Sequence, residues 1–317
     1  MHDLVIIGAA AAGSSAAIYG ARRNLDVVIV TKDIGGEVAL SGSVENWPSV
    51  PSINGFELAQ LFHKHVQEYN VPIELGAEVM RIEQKNNYHI VHTTDLAGNE
   101  KQFKTKAVII ASGIHPRELG VKGENTLKGR GITYCTVCDG PLFKDKITAT
   151  IGAGNAAVES ALMMSGIAKK VYLVTKYGKD SVNKGFPRAE TIMVNKVLEA
   201  ENIEIVYNAN TTEITGDTIV SGLTYTESET NEEKKLEIQG VMVHIGTVPN
   251  STFVDCPKKS PSGEIEVDNI CRTSCEGIFA AGDVTNIPYK QISIAVGHGA
   301  TAALSAIDYL NRWEEQK

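Results

Sequence analysis

Near its start the chain reads Leu4-Val5-Ile6-Ile7-Gly8-Ala9-Ala10-Ala11-Ala12-Gly13-Ser14-Ser15-Ala16-Ala17, and Val27-Val28-Ile29-Val30 follows. Residues 4–7 are apolar without alternation, which is typical of a strand buried on both faces of a parallel sheet. The glycine and the small residues after it predict a turn and then a helix. Residues 27–30 predict the next strand, so the segment predicts a βαβ unit.

The same order of elements returns in the middle of the chain. Residues 147–151 predict a buried strand, and Gly152-Ala153-Gly154-Asn155-Ala156-Ala157 predicts a turn that opens a helix ending at about Ser165. Residues 171–174 predict the strand that follows. Two such units predict an α/β fold with two dinucleotide-binding, Rossmann-like domains.

Glycine and proline mark two places where the chain crosses between these domains, at residues 113–117 and 246–250. A chain of 317 residues also exceeds what one compact core usually holds. The simplest arrangement is a first domain made of residues 1–115 and 248–317, with a second domain, residues 116–247, inserted into it.

Composition excludes several classes of protein. The apolar fraction of 43% and charged fraction of 21% are those of a globular chain. A formal net charge of -8 gives no electrostatic reason to expect a nucleic acid or an anionic membrane as partner. Because Met1-His2-Asp3 leads directly into a predicted strand and no apolar run is long enough to span a membrane, we expect a cytoplasmic protein.

The first glycine turn has the form of a phosphate-binding turn. Glycine ahead of a helix lets a pyrophosphate approach the free N–H groups and the positive end of the helix dipole. Gly8 and Gly13 supply the first and last glycines of G-x-G-x-x-G, and Ala10 replaces the middle one. The replacement adds a single methyl group, so the turn still predicts dinucleotide binding.

Two further segments favour FAD in the first domain. Gly277-Ile278-Phe279-Ala280-Ala281-Gly282-Asp283 predicts a strand ending in a carboxylate that can accept a hydrogen bond from a flavin ribityl hydroxyl. Gly35-Gly36 follows the second strand, where backbone can pass close to a ring system. Thr31 stands where a ribose-binding acid is usual, with Asp33 two residues further on, so that contact stays open.

The most informative segment is Tyr134-Cys135-Thr136-Val137-Cys138-Asp139-Gly140-Pro141. Two cysteines at this spacing in a turn or helix start can form a disulfide, and nearby N–H groups stabilise the thiolate of one of them. Asp139 can protonate the leaving thiolate when the dithiol forms. Cys135, Cys138 and Asp139 are therefore the predicted catalytic residues.

The competing interpretation of the cysteine pair is half of a structural zinc site. Zinc requires four ligands, and the remaining thiols are Cys256 and the Cys271/Cys275 pair, far along the chain. We expect no metal, and we expect Cys256, Cys271 and Cys275 to be small core or surface residues. The alternative from a binding class is a zinc- or redox-sensing dinucleotide module.

Taken together, the segments resemble the low-molecular-weight thioredoxin reductases and the homologous C-terminal part of alkyl hydroperoxide reductase flavoprotein subunits. The resemblance covers essentially the whole chain. Besides the segments above it rests on Val44-Glu45-Asn46-Trp47-Pro48 and Pro288-Tyr289-Lys290-Gln291. It implies a homodimer, with thioredoxin or a thioredoxin-like protein as a separate partner that takes the electrons. It also implies that the inserted domain rotates about the two crossings.

The resemblance assigns roles to particular residues. Cys138 would lie against the flavin, and Cys135 would exchange with the disulfide of the partner protein. It implies FAD contacts at Gly8, Gly13, Gly36, Glu37, Asn46, Gly113, Asp283 and Gln291. The turns and segments around them add Ala10, Gly35, Gly282, Lys290 and Ile292 to the predicted FAD site.

The electron donor is the point at which the resemblance fails. NADPH-specific relatives carry His-Arg-Arg after the strand that follows the second glycine turn, because guanidinium groups pair with the 2′-phosphate. This chain has Thr175-Lys176-Tyr177 and then a longer loop, residues 178–186, before Arg188. The glutamate expected for NADH is also missing.

Lysine can still bind a phosphate, so a site built from Lys176, Lys179, Lys184 and Arg188 favours NADPH. The predicted NADPH-binding residues are Gly152, Gly154, Asn155, Ala156, Lys176, Arg188 and Gly246. NADH and a non-pyridine donor such as ferredoxin remain alternatives. The sequence thus predicts an FAD-dependent thioredoxin-disulfide reductase whose donor is open.

Overall fold

The computed structural model describes residues 1–41 and 43–314, and of Ser43 and Cys138 the backbone alone. The described chain divides into two compact units, Met1–His115 with Val248–Lys317 and Pro116–Thr247. These ranges are those of the two predicted domains. Which cofactor each unit holds stays a prediction.

Unit 1 is built from two separate stretches of chain. Its first stretch contains β1 (His2–Ala9), α1 (Ala11–Ala21), β2 (Val27–Ile34), α2 (Gly36–Leu40), β3 (Ser43–Val44), β4 (Ile53–Asn54), α3 (Gly55–Gln67), β5 (Ile73–Leu75), β6 (Glu78–Gln84), β7 (His89–Thr94), β8 (Glu100–Ile110) and β9 (Ile114–Pro116), which ends at the boundary with unit 2.

Unit 2 follows. It contains α4 (Glu124–Leu127), β10 (Ile132–Thr133), α5 (Thr136–Asp139), a 3₁₀ helix (Gly140–Phe143), β11 (Ile147–Ile151), α6 (Asn155–Ser165), β12 (Lys170–Val174), a 3₁₀ helix (Val182–Gly185), α7 (Thr191–Glu199), β13 (Ile203–Val206), β14 (Ala209–Thr215), β15 (Gly222–Glu227), β16 (Glu233–Glu237) and β17 (Gly240–Val243).

The chain then returns to unit 1. The elements of this stretch are β18 (Thr247–Pro249), β19 (Ile278–Ala280), a 3₁₀ helix (Gly282–Val284) and α8 (Ile292–Leu310). No helix in the described part of the chain is long and apolar enough to span a membrane.

The main sheet of unit 1 has β1 at its centre. Its strands run in the order β5-β2-β1-β8-β7-β6, with β19 also paired to β8. Strand β1 is parallel to both neighbours, with Val5 opposite Val28 of β2 and Val108 of β8. Leu4 and Ile6 pack into one core and Val5 and Ile7 into another, because successive side chains of a strand point to opposite faces. This explains why residues 4–7 are all apolar.

Unit 2 repeats this plan with a smaller sheet. Its five parallel strands run in the order β10-β17-β11-β12-β13, and a second, antiparallel sheet has the order β14-β15-β16. Strand β11 has the predicted bounds, and helix α6 ends at Ser165 as predicted. The α/β fold class with two Rossmann-like halves is confirmed.

The two chain crossings pair with each other as the strands β9 and β18. On the unit 1 side, the backbone N–H of Asn250 donates to Gly113 O at 3.0 Å, and its side-chain amide donates to Ser112 O at 2.8 Å. The carbonyl of Asn250 accepts from the Ser112 hydroxyl at 2.6 Å. Asn250 therefore holds the two crossings together where they leave unit 1.

The cysteines of unit 1 correct one expectation. Cys256 and Cys275 form a disulfide with a Cα–Cα distance of 6.1 Å, whereas from the sequence we expected them to be small core or surface residues and not redox partners. They lie 19 residues apart, and Val254 and Ile278, near each of them, pack into one hydrophobic core that brings the segments together. Cys271 is buried and free, as predicted.

Candidate active site

The first glycine turn of unit 1 connects β1 to α1. A Cβ added at Gly13 would lie 1.9 Å from the carbonyl oxygen of Gly8, so only glycine allows helix and strand to approach this closely. Ala10 is the extended residue just before the helix, and its side chain makes no capping hydrogen bond. The first N–H groups of a helix have no partner within it, so this turn presents donors for an anion.

A second glycine turn lies beside the first. Gly35 and Gly36 both have positive φ and open α2, with the N–H of Gly36 donating to the Asp33 carboxylate at 2.9 Å. A Cβ at Gly36 would lie 3.6 Å from the Cβ of Ala10. Strand β2 runs past its predicted end to Ile34, and buried Thr31 donates to Asp33 O, so Asp33 caps this turn.

Asp283 is the clearest sign of a ligand in unit 1. It follows Gly282, where an added Cβ would lie 2.9 Å from the Cβ of Ala12 in α1. Burial raises the pKa of the Asp283 carboxyl, against a smaller lowering by Lys290. Among the described residues no group makes a hydrogen bond or ion pair with the Asp283 side chain. A half-buried carboxylate without a partner needs a donor, and a ligand hydroxyl would supply it.

The remaining residues of the predicted FAD site lie in four separate parts of the chain. The side chain of Asn46 donates to that of Gln291 at 3.0 Å, just before α8 begins with the partly buried Ile292. Lys290 donates to Glu264 at 2.8 Å and to Thr285 O at 2.5 Å, so two of the three N–H donors of its ammonium are used within the protein. Glu37 is exposed in the first turn of α2, and Gly113 has open space around it.

These residues fit a flavin nucleotide. The turns at Gly8–Gly13 and Gly35–Gly36 adjoin each other through Ala10, and Gly282 packs on α1 beside them. Helix α8 reaches the same helix, because a Cβ at Gly299 would lie 2.0 Å from Ala12 O. Unit 1 thus offers N–H donors for a pyrophosphate and an unpartnered carboxylate for a hydroxyl at one edge of its sheet.

The cysteine segment of unit 2 is a tight helical turn. Cys135 is disulfide-bonded and lies just before α5, and the N–H of Asp139 donates to Cys135 O at 3.1 Å. The Thr133 hydroxyl donates to the Asp139 carboxylate at 2.5 Å and accepts from Cys135 N–H at 3.1 Å. Thr133 therefore holds the predicted proton donor Asp139 beside Cys135. The side chain of Cys138 lies outside the described residues.

Sequence reasoning missed a group of polar side chains behind this turn. The hydroxyl of Thr136, the first residue of α5, lies 2.7 Å from His244 Nε2 and 2.6 Å from the Ser160 hydroxyl of α6. Thr136 and Ser160 are buried. The sequence did contain a signal for His244. It is a polar residue directly after the buried strand β17, and ligand-binding sites of parallel sheets lie at the carboxyl ends of their strands.

His244 should make stability depend on pH. Burial lowers its pKa from 6.5 to about 4, so the unfolded chain binds the proton first as pH falls. The stability that the folded protein owes to neutral His244 is complete above pH 6.5. It is lost as pH falls towards 4, at up to about 1.4 kcal/mol per pH unit. We expect His244→Gln to reduce the loss of unfolding free energy between pH 7 and 4.5 by about 2 kcal/mol.

Urea unfolding of the full chain, followed by circular dichroism at both pH values, measures this difference. The exposed His65→Gln variant is the control and should behave as wild type. If wild type and His244→Gln lose the same free energy of unfolding between the two pH values, the folded protein does not disfavour protonation of His244.

The second glycine turn connects β11 to α6. A Cβ at Gly152 would lie 2.2 Å from the carbonyl oxygen of His244, so this glycine lets the turn pack against the end of β17. Gly154 forms a β-bridge with Arg188, and the side chain of Asn155 accepts from the backbone N–H of Glu190 at 2.7 Å. The long loop after Lys176 therefore folds back and brings Arg188 to the glycine turn.

The other predicted nucleotide residues lie around this turn. Ala156 is exposed in the first turn of α6, and Gly246 has positive φ and open space beside it. Lys176 is exposed, with its ammonium 5.4 Å from the centre of the Tyr177 ring. The described residues contain no cluster of three or more His, Cys, Asp or Glu side chains that could hold a metal ion.

Comparison with known proteins agrees with this geometry. Residues 2–299 match the pyridine nucleotide-disulphide oxidoreductase family. The chain is 39% identical over 311 residues to a protein named NADH dehydrogenase from Bacillus subtilis, and 39% identical over 312 residues to the F subunit of alkyl hydroperoxide reductase from Pseudomonas aeruginosa. Each match covers 98% of this chain, which spans only 59% and 58% of the length of those two relatives.

Solved structures give the same result, and the resemblance to thioredoxin reductases is confirmed. The thioredoxin reductase of Streptococcus pyogenes superposes with a TM-score of 0.79 at 34% identity, over 98% of both chains. A ferredoxin-flavin thioredoxin reductase from Clostridium acetobutylicum matches with a TM-score of 0.52 at 29% identity, over 98% of both chains. The family implies a flavin and a pyridine nucleotide as cofactors. The chain belongs to the pyridine nucleotide-disulphide oxidoreductase family.

Proposed function

We propose that the chain is an FAD-dependent reductase that passes electrons from NADPH, through Cys135 and Cys138, to the disulfide of thioredoxin or a thioredoxin-like protein. The observation that carries this proposal is the cysteine turn, in which oxidised Cys135 starts a helix and Thr133 holds the Asp139 carboxylate one turn away. A cytoplasmic homodimer remains a prediction from the family resemblance.

Unit 1 would hold the FAD. The N–H groups at the start of α1 would bind its pyrophosphate, and Asp283 would accept a hydrogen bond from a ribityl hydroxyl. Bound flavin supplies two-electron exchange between a nicotinamide and a disulfide. Asn46 and Gln291, already joined by a hydrogen bond, would line the same site.

The two cysteines would have different roles because they lie at different positions in the turn. Cys135 lies outside the helix at its start, where it can exchange with a partner's disulfide, and Cys138 would face the flavin. When the Cys135–Cys138 bond opens, Asp139 would give its proton to the departing thiolate, and Thr133 would keep the carboxylate in place for this transfer. His244 and Ser160 would fix Thr136, and with it the start of the helix.

NADPH is the donor that unit 2 supports best. The backbone of Arg188 lies at Gly154 of the glycine turn, and we infer that its guanidinium extends from there to the 2′-phosphate of NADPH. We expect Arg188→Gln to raise the KM for NADPH by about tenfold and leave that for NADH within about twofold, since only NADPH carries the 2′-phosphate.

Stopped-flow reduction of the bound flavin by each nucleotide measures both values. The exposed Arg130→Gln is a matched control in the same unit. Equal reduction by NADPH and NADH in the wild type, unchanged by Arg188→Gln, would contradict the assignment.

Two other donors have specific support. The Clostridium acetobutylicum neighbour is a ferredoxin-flavin enzyme, and this chain also lacks the arginine run of NADPH-specific relatives. The Bacillus subtilis relative is named for NADH. If neither nucleotide bleaches the flavin and reduced ferredoxin does, the ferredoxin alternative replaces NADPH.

The function itself is tested with the purified, flavin-loaded chain, a reductant and oxidised thioredoxin. We expect new thiols on thioredoxin in proportion to the NADPH consumed. The N-terminal part of an alkyl hydroperoxide reductase relative, which this chain does not span, is added as a separate protein and distinguishes a partner of that system from thioredoxin. Flavin-free protein, or NADPH oxidation without thiol formation on either protein, would contradict the proposal.

A further inference from the structure

The disulfide between Cys256 and Cys275 lies away from the proposed flavin site. Strand β19 begins three residues after Cys275 and is followed by Gly282 and Asp283. It runs parallel to β8, which is parallel to β1. Cys275 therefore lies at the amino edge of these strands, whereas the glycine turns and Asp283 lie at the carboxyl edge. This disulfide needs an explanation of its own.

The two sulfurs differ in access. Cys256 is exposed, whereas Cys275 is buried with 6% of its surface accessible. Disulfide exchange requires a thiolate to reach one of the two sulfurs. A thiol from solvent can reach Cys256, and the sulfur that leaves is then that of Cys275.

The buried sulfur has a group that favours its departure. The Ser274 hydroxyl lies 3.9 Å from Cys275 Sγ and accepts a hydrogen bond from the backbone N–H of Lys258 at 2.9 Å. Because Ser274 already accepts that bond, its own hydrogen is free to point at the sulfur. A hydrogen bond to a thiolate lowers its pKa, and a leaving thiol of lower pKa leaves faster.

The exposed sulfur has a partner for its reduced state. Gln84 Oε1 lies 3.1 Å from Cys256 Sγ. A disulfide sulfur carries no hydrogen, so this contact becomes a hydrogen bond only when Cys256 is a thiol that can donate to the amide oxygen. Unit 1 thus provides a hydrogen-bonding partner for each cysteine of the reduced pair as well as the geometry of the disulfide.

We propose that Cys256 and Cys275 form a second thiol–disulfide exchange site, which reacts with thiols of low molecular weight. A thiolate attacks Cys256 Sγ and forms a mixed disulfide while the Cys256–Cys275 bond breaks, and Cys275 leaves as a thiolate that takes up the proton lost by the attacking thiol. Cys275 can reverse the step by attacking Cys256. A second thiol instead releases the small disulfide, so two thiols are oxidised and the protein pair is reduced.

The test uses reduced glutathione and the full chain with its bound flavin, without any nucleotide. Exchange is stopped with acid, the chain is unfolded and alkylated, and each cysteine is identified by peptide mass spectrometry. We expect glutathione on Cys256 and the alkyl group on Cys275, whereas Cys271, a free thiol, carries the alkyl group with or without glutathione. Glutathione on Cys275, or an intact Cys256–Cys275 bond at concentrations that reduce a small reference disulfide, would overturn the proposal.

Single variants test which of the two sulfurs is attacked and which one leaves. With oxidised glutathione, Cys275→Ser should trap a stable mixed disulfide on Cys256, and Cys256→Ser should leave Cys275 unmodified because it is buried. Comparable modification of both variants would contradict the order of events. Each variant is first shown to retain wild-type circular dichroism and flavin content.

Ser274→Ala tests the leaving group. We expect glutathione to open the disulfide about 2- to 10-fold more slowly, the range that one hydrogen bond supports. The control is Ser262→Ala, a serine of the same connection that contacts neither cysteine. An unchanged rate in Ser274→Ala would remove the role of Ser274. The exchange does not rest on the proposed function, since glutathione acts without nucleotide or thioredoxin.

Discussion

Replacing Cys138 by serine should lower thioredoxin reduction by at least about 10³-fold, and Cys135→Ser should do the same. A serine hydroxyl cannot form the disulfide that carries the electron pair, so each variant removes the step and not only a contact. The proposed flavin site is built from residues of unit 1, whereas both cysteines belong to unit 2. Flavin content and the reduction of the flavin by NADPH should therefore remain close to wild type.

The measurement follows NADPH consumption with thioredoxin and, separately, with ferricyanide, which takes electrons without the cysteines. Both variants should keep the ferricyanide rate and lose the thioredoxin rate. Cys271→Ala is the control, since Cys271 is a free thiol in the core of unit 1 and should leave both rates intact. A Cys138→Ser enzyme that still reduces thioredoxin would show that electrons take another route.

Replacing Asp283 by alanine should weaken FAD binding by about 10- to 150-fold. The carboxylate is half-buried, its pKa is raised by burial, and no described side chain or backbone group satisfies it. A hydrogen bond from a ligand hydroxyl to a charged group contributes about 1.5–3 kcal/mol, which corresponds to that range of affinity.

Two variants separate the hydrogen bond from a general loss of structure. Asp283→Asn keeps an acceptor oxygen without the charge and should lie between wild type and Asp283→Ala. Asp308→Ala removes an exposed carboxylate from α8 and should bind FAD as wild type does. Titration of the flavin-free proteins with FAD gives the three affinities, and an unchanged affinity for Asp283→Ala would refute the placement of the ribityl chain.

The backbone plan could be predicted from sequence because its signals are local. The all-apolar strand at residues 4–7 and the glycine turns after β1 and β11 are encoded by neighbouring residues. Strand β11 has the predicted bounds, and α6 ends where it was predicted to end. Thr31 shows the limit of such signals. The strand β2 was predicted to end at Val30, but the hydroxyl of Thr31 bonds to Asp33 O and the strand continues to Ile34.

The side-chain pairings could not be predicted, because they join residues distant in sequence. His244 meets Thr136 across 108 positions, and a single histidine has no spacing that reveals a partner. Cys256 and Cys275 have no motif, and only the packing of two loops on a common core brings them together. Lys290 lies within a segment of the family resemblance, but the structure shows its ammonium paired with Glu264.

The central claim is that the cysteine pair of unit 2 exchanges electrons with flavin. It is tested by reducing the flavin with light in the absence of oxygen and adding oxidised thioredoxin to wild type and to Cys138→Ser. The flavin colour should return in the wild type, with one thioredoxin disulfide reduced per flavin, and should stay bleached in the variant. Return of the colour at the same rate in both proteins, or in neither, would contradict the account.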